Sequence, residues 1–117
     1  MTPTARTLQA LRADGWLVEV VERWNLHARV RHDLFNVADV LAVRGRETLA
    51  VQVTAGSCMS ARVAKLMGST VLPALLSTGW RVEVHGWRRL KVKRGGKAMR
   101  WACHVVDMID NGTSDED

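Results

Sequence analysis

The sequence predicts an α/β domain in which helices flank a central mixed β-sheet, with elements in the order α-β-β-β-α-α-β-β. Three observations predict it. Residues 37–43 (Val-Ala-Asp-Val-Leu-Ala-Val) and 48–54 (Thr-Leu-Ala-Val-Gln-Val-Thr) are two nearly continuous apolar runs joined by a short turn containing glycine, the mark of a hairpin in the middle of a sheet. Two segments of helical periodicity follow them. A Gly-Trp-x-Val-Glu-Val unit also occurs twice, at residues 15–20 and 79–84, each time after a predicted helix. Strands interleaved with helices imply a sheet covered on its faces.

Taken in order, Thr4 is placed to cap a helix over residues 5–13, with Leu8 and Leu11 on one face and Gly15 where a left-handed residue ends it. Residues 16–23 are rich in β-formers and read as a strand. Residues 24–36 are polar and basic and are expected to be a loop. The hairpin of residues 37–43 and 48–54 comes next, turning at Arg44-Gly45-Arg46-Glu47. A helix over 60–67 places Val63, Leu66 and Met67 on one side, leaving Arg62 and Lys65 for the other. A second helix, 70–77, tolerates Pro73 near its first turn and ends before Gly79. Residues 80–85 form a strand, 88–97 a basic connection, and 99–108 a last strand. Residues 1–110 thus make a single domain, and 111–117 an acidic disordered tail.

At 117 residues and 47% hydrophobic, the chain suits one packed core. It has no apolar stretch long enough for a membrane span and no signal-like start, so a cytoplasmic protein is expected, with no membrane partner. The net charge is +5; without the last seven residues, 17 Lys and Arg face nine Asp and Glu, a net of +8. Such a surface attracts polyanions, although solubility alone accounts for charge equally well. Cys58 and Cys103 lack metal-knuckle spacing and are expected to be reduced thiols. The four histidines show no zinc spacing, and no P-loop, dinucleotide fingerprint or nucleophile elbow occurs, so no small-molecule cofactor is expected.

Asp39 and Gln52 stand out because each is a polar residue inside an apolar strand. A buried carboxylate needs a partner, a metal or an exposed strand end. Gln52 and Thr54 share a strand face, expected to be the one toward Asp39. Two readings stay open: a hydrogen-bonded Asp–Gln pair that closes the hairpin, or a hard-cation site made from the Asp39 carboxylate, the Gln52 side-chain carbonyl and the Val53 backbone carbonyl. Mg²⁺ suits such oxygen ligands.

The element order, with Asp39 on the second strand and Gln52-Val53-Thr54 on the third, followed by the helix of Ser60-Ala-Arg-Val-Ala-Lys65, resembles the PD-(D/E)XK nuclease superfamily. The Holliday junction resolvase branch is the nearest. The likeness covers most of residues 5–87. It implies a restriction-endonuclease-like core and a Mg²⁺- (or Mn²⁺-) dependent endonuclease hydrolysing branched or double-stranded DNA, acting as a homodimer. It implies that Asp39 and Gln52 hold the metal, with Glu22 or Asp33 as a further acid. The family's second acid is Gln52 here, and its lysine is Thr54; Lys65 on the following helix is the candidate replacement. Without a replacement, the same fold would serve as a DNA-binding or scaffold module.

Between Trp87 and Trp101 lie seven bases and no acid: Arg88, Arg89, Lys91, Lys93, Arg94, Lys97 and Arg100. Alternating bases along a hairpin make a positive ribbon able to track phosphates, joined by Arg62 from the helix; the same bases would also blunt a sheet edge or meet a protein partner. Most of the five tryptophans are expected in packing, with Trp24 and Trp87 placed to stack on exposed bases.

Overall fold

The computed structural model describes residues 1–109 and 112–116, the last five through their backbone alone. Helix α1 (Pro3–Ala13) leads into β1 (Leu17–Val20), followed by a short hairpin of β2 (Arg23–Asn25) and β3 (Val30–His32). Then come β4 (Val40–Arg44), β5 (Glu47–Ala55), a 3-10 turn (Gly56–Cys58), α2 (Met59–Met67) and α3 (Val71–Ser77). Strands β6 (Arg81–Lys91), β7 (Met99–Ile109) and β8 (Gly112–Glu116) complete the chain.

Six strands form one mixed sheet in the order β1-β4-β5-β6-β7-β8, antiparallel except where β5 runs parallel to β6. A parallel pair needs a crossover, and α2 with α3 supplies it. The β4–β5 turn has Gly45 at φ 58° between the paired Arg44 and Glu47, the glycine position of a II′ hairpin turn.

Both faces of the sheet are buried along β5 and the adjoining stretches of β4 and β6, which explains the unbroken apolar runs. On one face Leu49, Val51 and Val53 of β5 meet Leu11 of α1, Trp16, Val40 and Ala42. On the other, Ala50, Val82, Val84, Val106 and Met108 pack beneath Met59 and Leu66 of α2 and Leu72 and Leu75 of α3. Gln52 shares the parity of Ala50 and so belongs to the α2 face.

The repeated Gly-Trp unit has a physical basis. Gly15 (φ 87°) and Gly79 (φ 92°) end α1 and α3 in the same way. Trp16 N–H donates to Leu11 O at 3.0 Å and Trp80 N–H to Leu75 O at 3.3 Å, while each glycine N–H bonds one carbonyl further along, the paired bonds of a Schellman cap.

Four expectations change. Thr2 caps α1 instead of Thr4, its Oγ1 accepting from Ala5 N–H at 3.1 Å, because Pro3 suits the first helical position and starts the helix earlier. Residues expected to be a loop contain the β2–β3 hairpin. The basic connection is largely strand: β6 runs on to Lys91 and β7 begins at Met99, leaving only a short tip. Residues 112–116, expected within a disordered tail, pair antiparallel with β7 as β8, meeting the unpaired main-chain groups that an edge strand presents. Residues 110, 111 and 117 lie outside the described residues. Among the described residues, no helix is long and apolar enough to cross a membrane.

Candidate metal centre

Asp39 lies one residue before β4, and its backbone is held from both sides. Its N–H donates to Val51 O at 2.9 Å and its carbonyl accepts from Val21 N–H at 2.8 Å. The side chain is directed to the α2 face, where Oδ2 accepts from Gln52 Nε2 at 2.8 Å and from the backbone N–H of Val53 at 2.8 Å. Gln52 Nε2 also reaches Asp33 Oδ2 at 3.3 Å. Asp39 is 6% exposed and Gln52 2%.

Two further carboxylates join them. Glu22 and Asp33 immediately flank the β2–β3 hairpin, whose outermost pair is Arg23 with His32, so the hairpin draws them together. A tight turn then carries Asp33 back to Asp39. Leu34 N–H donates to Ala38 O at 2.9 Å, while Phe35 and Asn36 adopt left-handed φ of 55° and 58°. Asn tolerates that conformation better than Phe, so the turn stores strain of about 1–2 kcal/mol. One oxygen from each of Glu22, Asp33 and Asp39 lies within 4.8 Å of the others.

The cluster opens into a cavity of about 360 Å³, lined also by Thr4, Arg31, Asn36, Arg62 and Lys65. Two cations offset the acids: Arg31 Nη1 stands 3.4 Å from Glu22 Oε1 and Lys65 Nζ 3.9 Å from Asp33 Oδ2. Burial, aided by Asp33, raises the Asp39 carboxyl to about 7, against the lowering effect of the Val53 and Gln52 hydrogen bonds.

Does this donor set suit a cation? Gln52 Oε1 is buried and, among the described residues, has no hydrogen-bond partner. Leaving such an oxygen unpaired costs about 1–3 kcal/mol. The Gln52 amide nitrogen faces Asp39 and Asp33, so this side chain would ligate through Oε1 with its amide turned over; three converging carboxylates and that carbonyl are the oxygen chemistry that Mg²⁺ or Mn²⁺ takes up. The residues fit.

Of the residues singled out in the sequence, Glu22, Asp33, Asp39, Gln52, Val53, Arg62 and Lys65 line one cavity. Val53 meets Asp39 through its N–H. Thr54 is buried on the same sheet face but is not among the lining residues. Arg88, Arg89, Lys91, Lys93, Arg94, Lys97 and Arg100 lie elsewhere, on and around the β6–β7 hairpin. Trp87, a sequence candidate for stacking on exposed bases, is half-buried against α1, its indole N–H donating to Thr7 Oγ1 at 2.9 Å. Sequence reasoning missed Thr4, Arg31 and Asn36. Asn36 in Asp-Leu-Phe-Asn, a residue that accepts the left-handed region, was the signal for the turn that folds Asp33 back.

The fold and this centre define an α/β protein with an oxygen-rich candidate cation site at the open end of an antiparallel strand pair. Comparison with family models, with curated proteins and with solved structures returned no match.

Proposed function

We propose that the chain is a divalent-cation-dependent endonuclease with a restriction-endonuclease-like core, hydrolysing phosphodiesters of branched or double-stranded DNA. The observation that carries the reading is the convergence of Glu22, Asp33 and Asp39 in a cavity that Gln52 also lines and that Arg62 and Lys65 rim. Glu22, Asp33, Asp39 and Gln52 would hold Mg²⁺ or Mn²⁺. A bound divalent cation supplies polarisation of the phosphodiester and a lowered pKa for an attacking water. Lys65 offers its ammonium to charge developing on the phosphate, the role that Thr54 has no charge to fill. Arg62 draws the phosphate backbone to the rim. Two cuts in opposed strands require two such centres, hence a homodimer.

The test is nicking of a labelled junction and a linear duplex with Mg²⁺, with Mn²⁺ and with EDTA. Cleavage is expected with either metal, abolished by EDTA and by Asp39→Ala, and reduced about tenfold or more in Lys65→Ala. Wild-type protein that neither binds a divalent cation nor cuts DNA would overturn the reading.

Thr54 favours a second reading. With a neutral side chain where the nuclease pattern has lysine, and Lys65 engaged by Asp33, the domain would bind DNA without cutting it. Salt-sensitive binding with no metal-dependent nicking would select that reading.

A further inference from the structure

We infer that the β2–β3 hairpin is a base-stacking wing, which recognises unpaired nucleotides next to the metal centre through Trp24. The inference rests on the nuclease reading above and narrows its substrate to nucleic acid carrying single-stranded bases.

The hairpin is poorly explained as part of the packed interior. None of residues 23–32 belongs to either buried core, and its strands are three residues each, too short to be stable alone. Yet it is shaped. Asn25 Oδ1 accepts from His27 N–H at 3.0 Å and Ala28 N–H at 3.1 Å, and Arg29 turns the chain at φ 54°. Such local bonds hold the tip in one conformation without help from the core.

Its chemistry suits a base and its phosphates. Trp24 is 55% exposed, and among the described residues no ring contact or hydrogen bond engages its indole. Arg23, Arg29 and Arg31, with His27 and His32, accompany it, and residues 23–32 contain no acid. An exposed indole among cations is the combination by which proteins hold single strands: the ring stacks on any base, and the cations follow the backbone.

Position ties the wing to the site. Trp24 and Arg31 are directly paired across the hairpin and so share a face, and Arg31 reaches back to Glu22 at 3.4 Å. Trp24 is two residues from Glu22, about 7 Å of extended chain, which is roughly one nucleotide step. A base stacked on Trp24 therefore puts a neighbouring phosphodiester within reach of the carboxylates.

The experiment measures fluorescence anisotropy of two labelled DNAs with EDTA present, so that no cleavage intervenes. One is a blunt duplex; the other is the same duplex with a short single-stranded overhang. Wild-type protein is expected to bind the overhang DNA about tenfold more tightly. Trp24→Ala should lose that preference with blunt-duplex affinity unchanged within twofold, whereas Trp24→Phe should keep most of it. Trp24→Gln gives the same reading should the alanine variant fold poorly. Equal affinity of wild-type protein for the two DNAs, or a preference that survives both Trp24→Ala and Trp24→Gln, would overturn the wing alone. Binding to neither DNA would likewise overturn the wing, while the nicking assay with Mg²⁺ decides the nuclease reading separately.

Discussion

Asp39 is held as a carboxyl group under opposing influences: burial and the neighbouring Asp33 favour the proton, whereas the Gln52 amide and Val53 N–H favour the charge. The first pair prevails, and the carboxyl rises from 3.8 to about 7. Because the folded value lies above the unfolded one, the folded chain holds this proton more tightly. The associated stability is fully present below about 4 and is lost as pH rises through about 7. Urea denaturation in EDTA should therefore show a loss between pH 5 and pH 8 of a few kcal/mol at most, since one pKa unit is worth about 1.4 kcal/mol. Asp39→Asn should flatten that loss; an equally steep profile in the variant would assign it to other groups. The two cysteines provide a contrast. Burial and the nearby Glu83 push the Cys103 thiol up to about 12, whereas Cys58 is exposed. A thiol-reactive probe near pH 8 should label Cys58 in the native protein and Cys103 only on unfolding, a difference that mass spectrometry of the labelled peptides would read.

Helix α1 is fastened to β6 by more than apolar contact. Trp87 Nε1 donates to Thr7 Oγ1, Thr7 Oγ1 lies 3.4 Å from His85 Nδ1, and His85 Nε2 lies 2.9 Å from Glu83 Oε1, which Arg81 pairs through its other oxygen. Thr7 is fully buried. Thr7→Val keeps the shape but strands the indole N–H, so chemical denaturation should show a cost of about 1–3 kcal/mol, with Thr7→Ser recovering much of it. None of this network is visible in the sequence, because Thr7, His85 and Trp87 are joined only by the docking of α1. Asp39 and Gln52 were legible because a polar residue inside an apolar strand calls for a partner, a metal or an exposed strand end. Glu22 and Asp33 were legible as candidates, but their meeting was not. It depends on a hairpin whose three-residue strands carry no period-two pattern, and on two left-handed residues at Phe35 and Asn36. The paired helix ends, by contrast, could be read directly from Gly15 and Gly79, since the Schellman cap demands a residue of positive φ.

The sheet also decides which of the many bases can serve the candidate centre. Gln52 is level with Val84, and Thr54 with Gly86, so the same face continues along β6 to Arg88 and Leu90 and across to Arg100 on β7. Arg89 and Lys91 carry the opposite parity, and Arg89 pairs with Trp101 on the α1 side, where Arg6 lies 3.9 Å over the Trp101 ring. The positive ribbon expected from the sequence is therefore split between two faces. Arg88 stands four residues beyond Val84, about 13 Å along the strand, a reach comparable to the radius of a duplex and its backbone. A DNA held at the acidic cavity should therefore meet Arg88 and Arg100, while Arg89 and Lys91 face away. Removing one base that neutralises a phosphate lowers the slope of log affinity against log salt by about 0.9 on duplex DNA. Replacing Arg88 and Arg100 together by Ala should reduce that slope by about 2 and weaken duplex binding about tenfold or more at moderate salt. The pair Arg89→Ala and Lys91→Ala should change the slope by less than half as much, although both pairs remove two charges. Titrations of each double variant across a salt series decide the matter: equal reductions would mean that net charge alone governs binding, and that the face of the sheet does not select its partner.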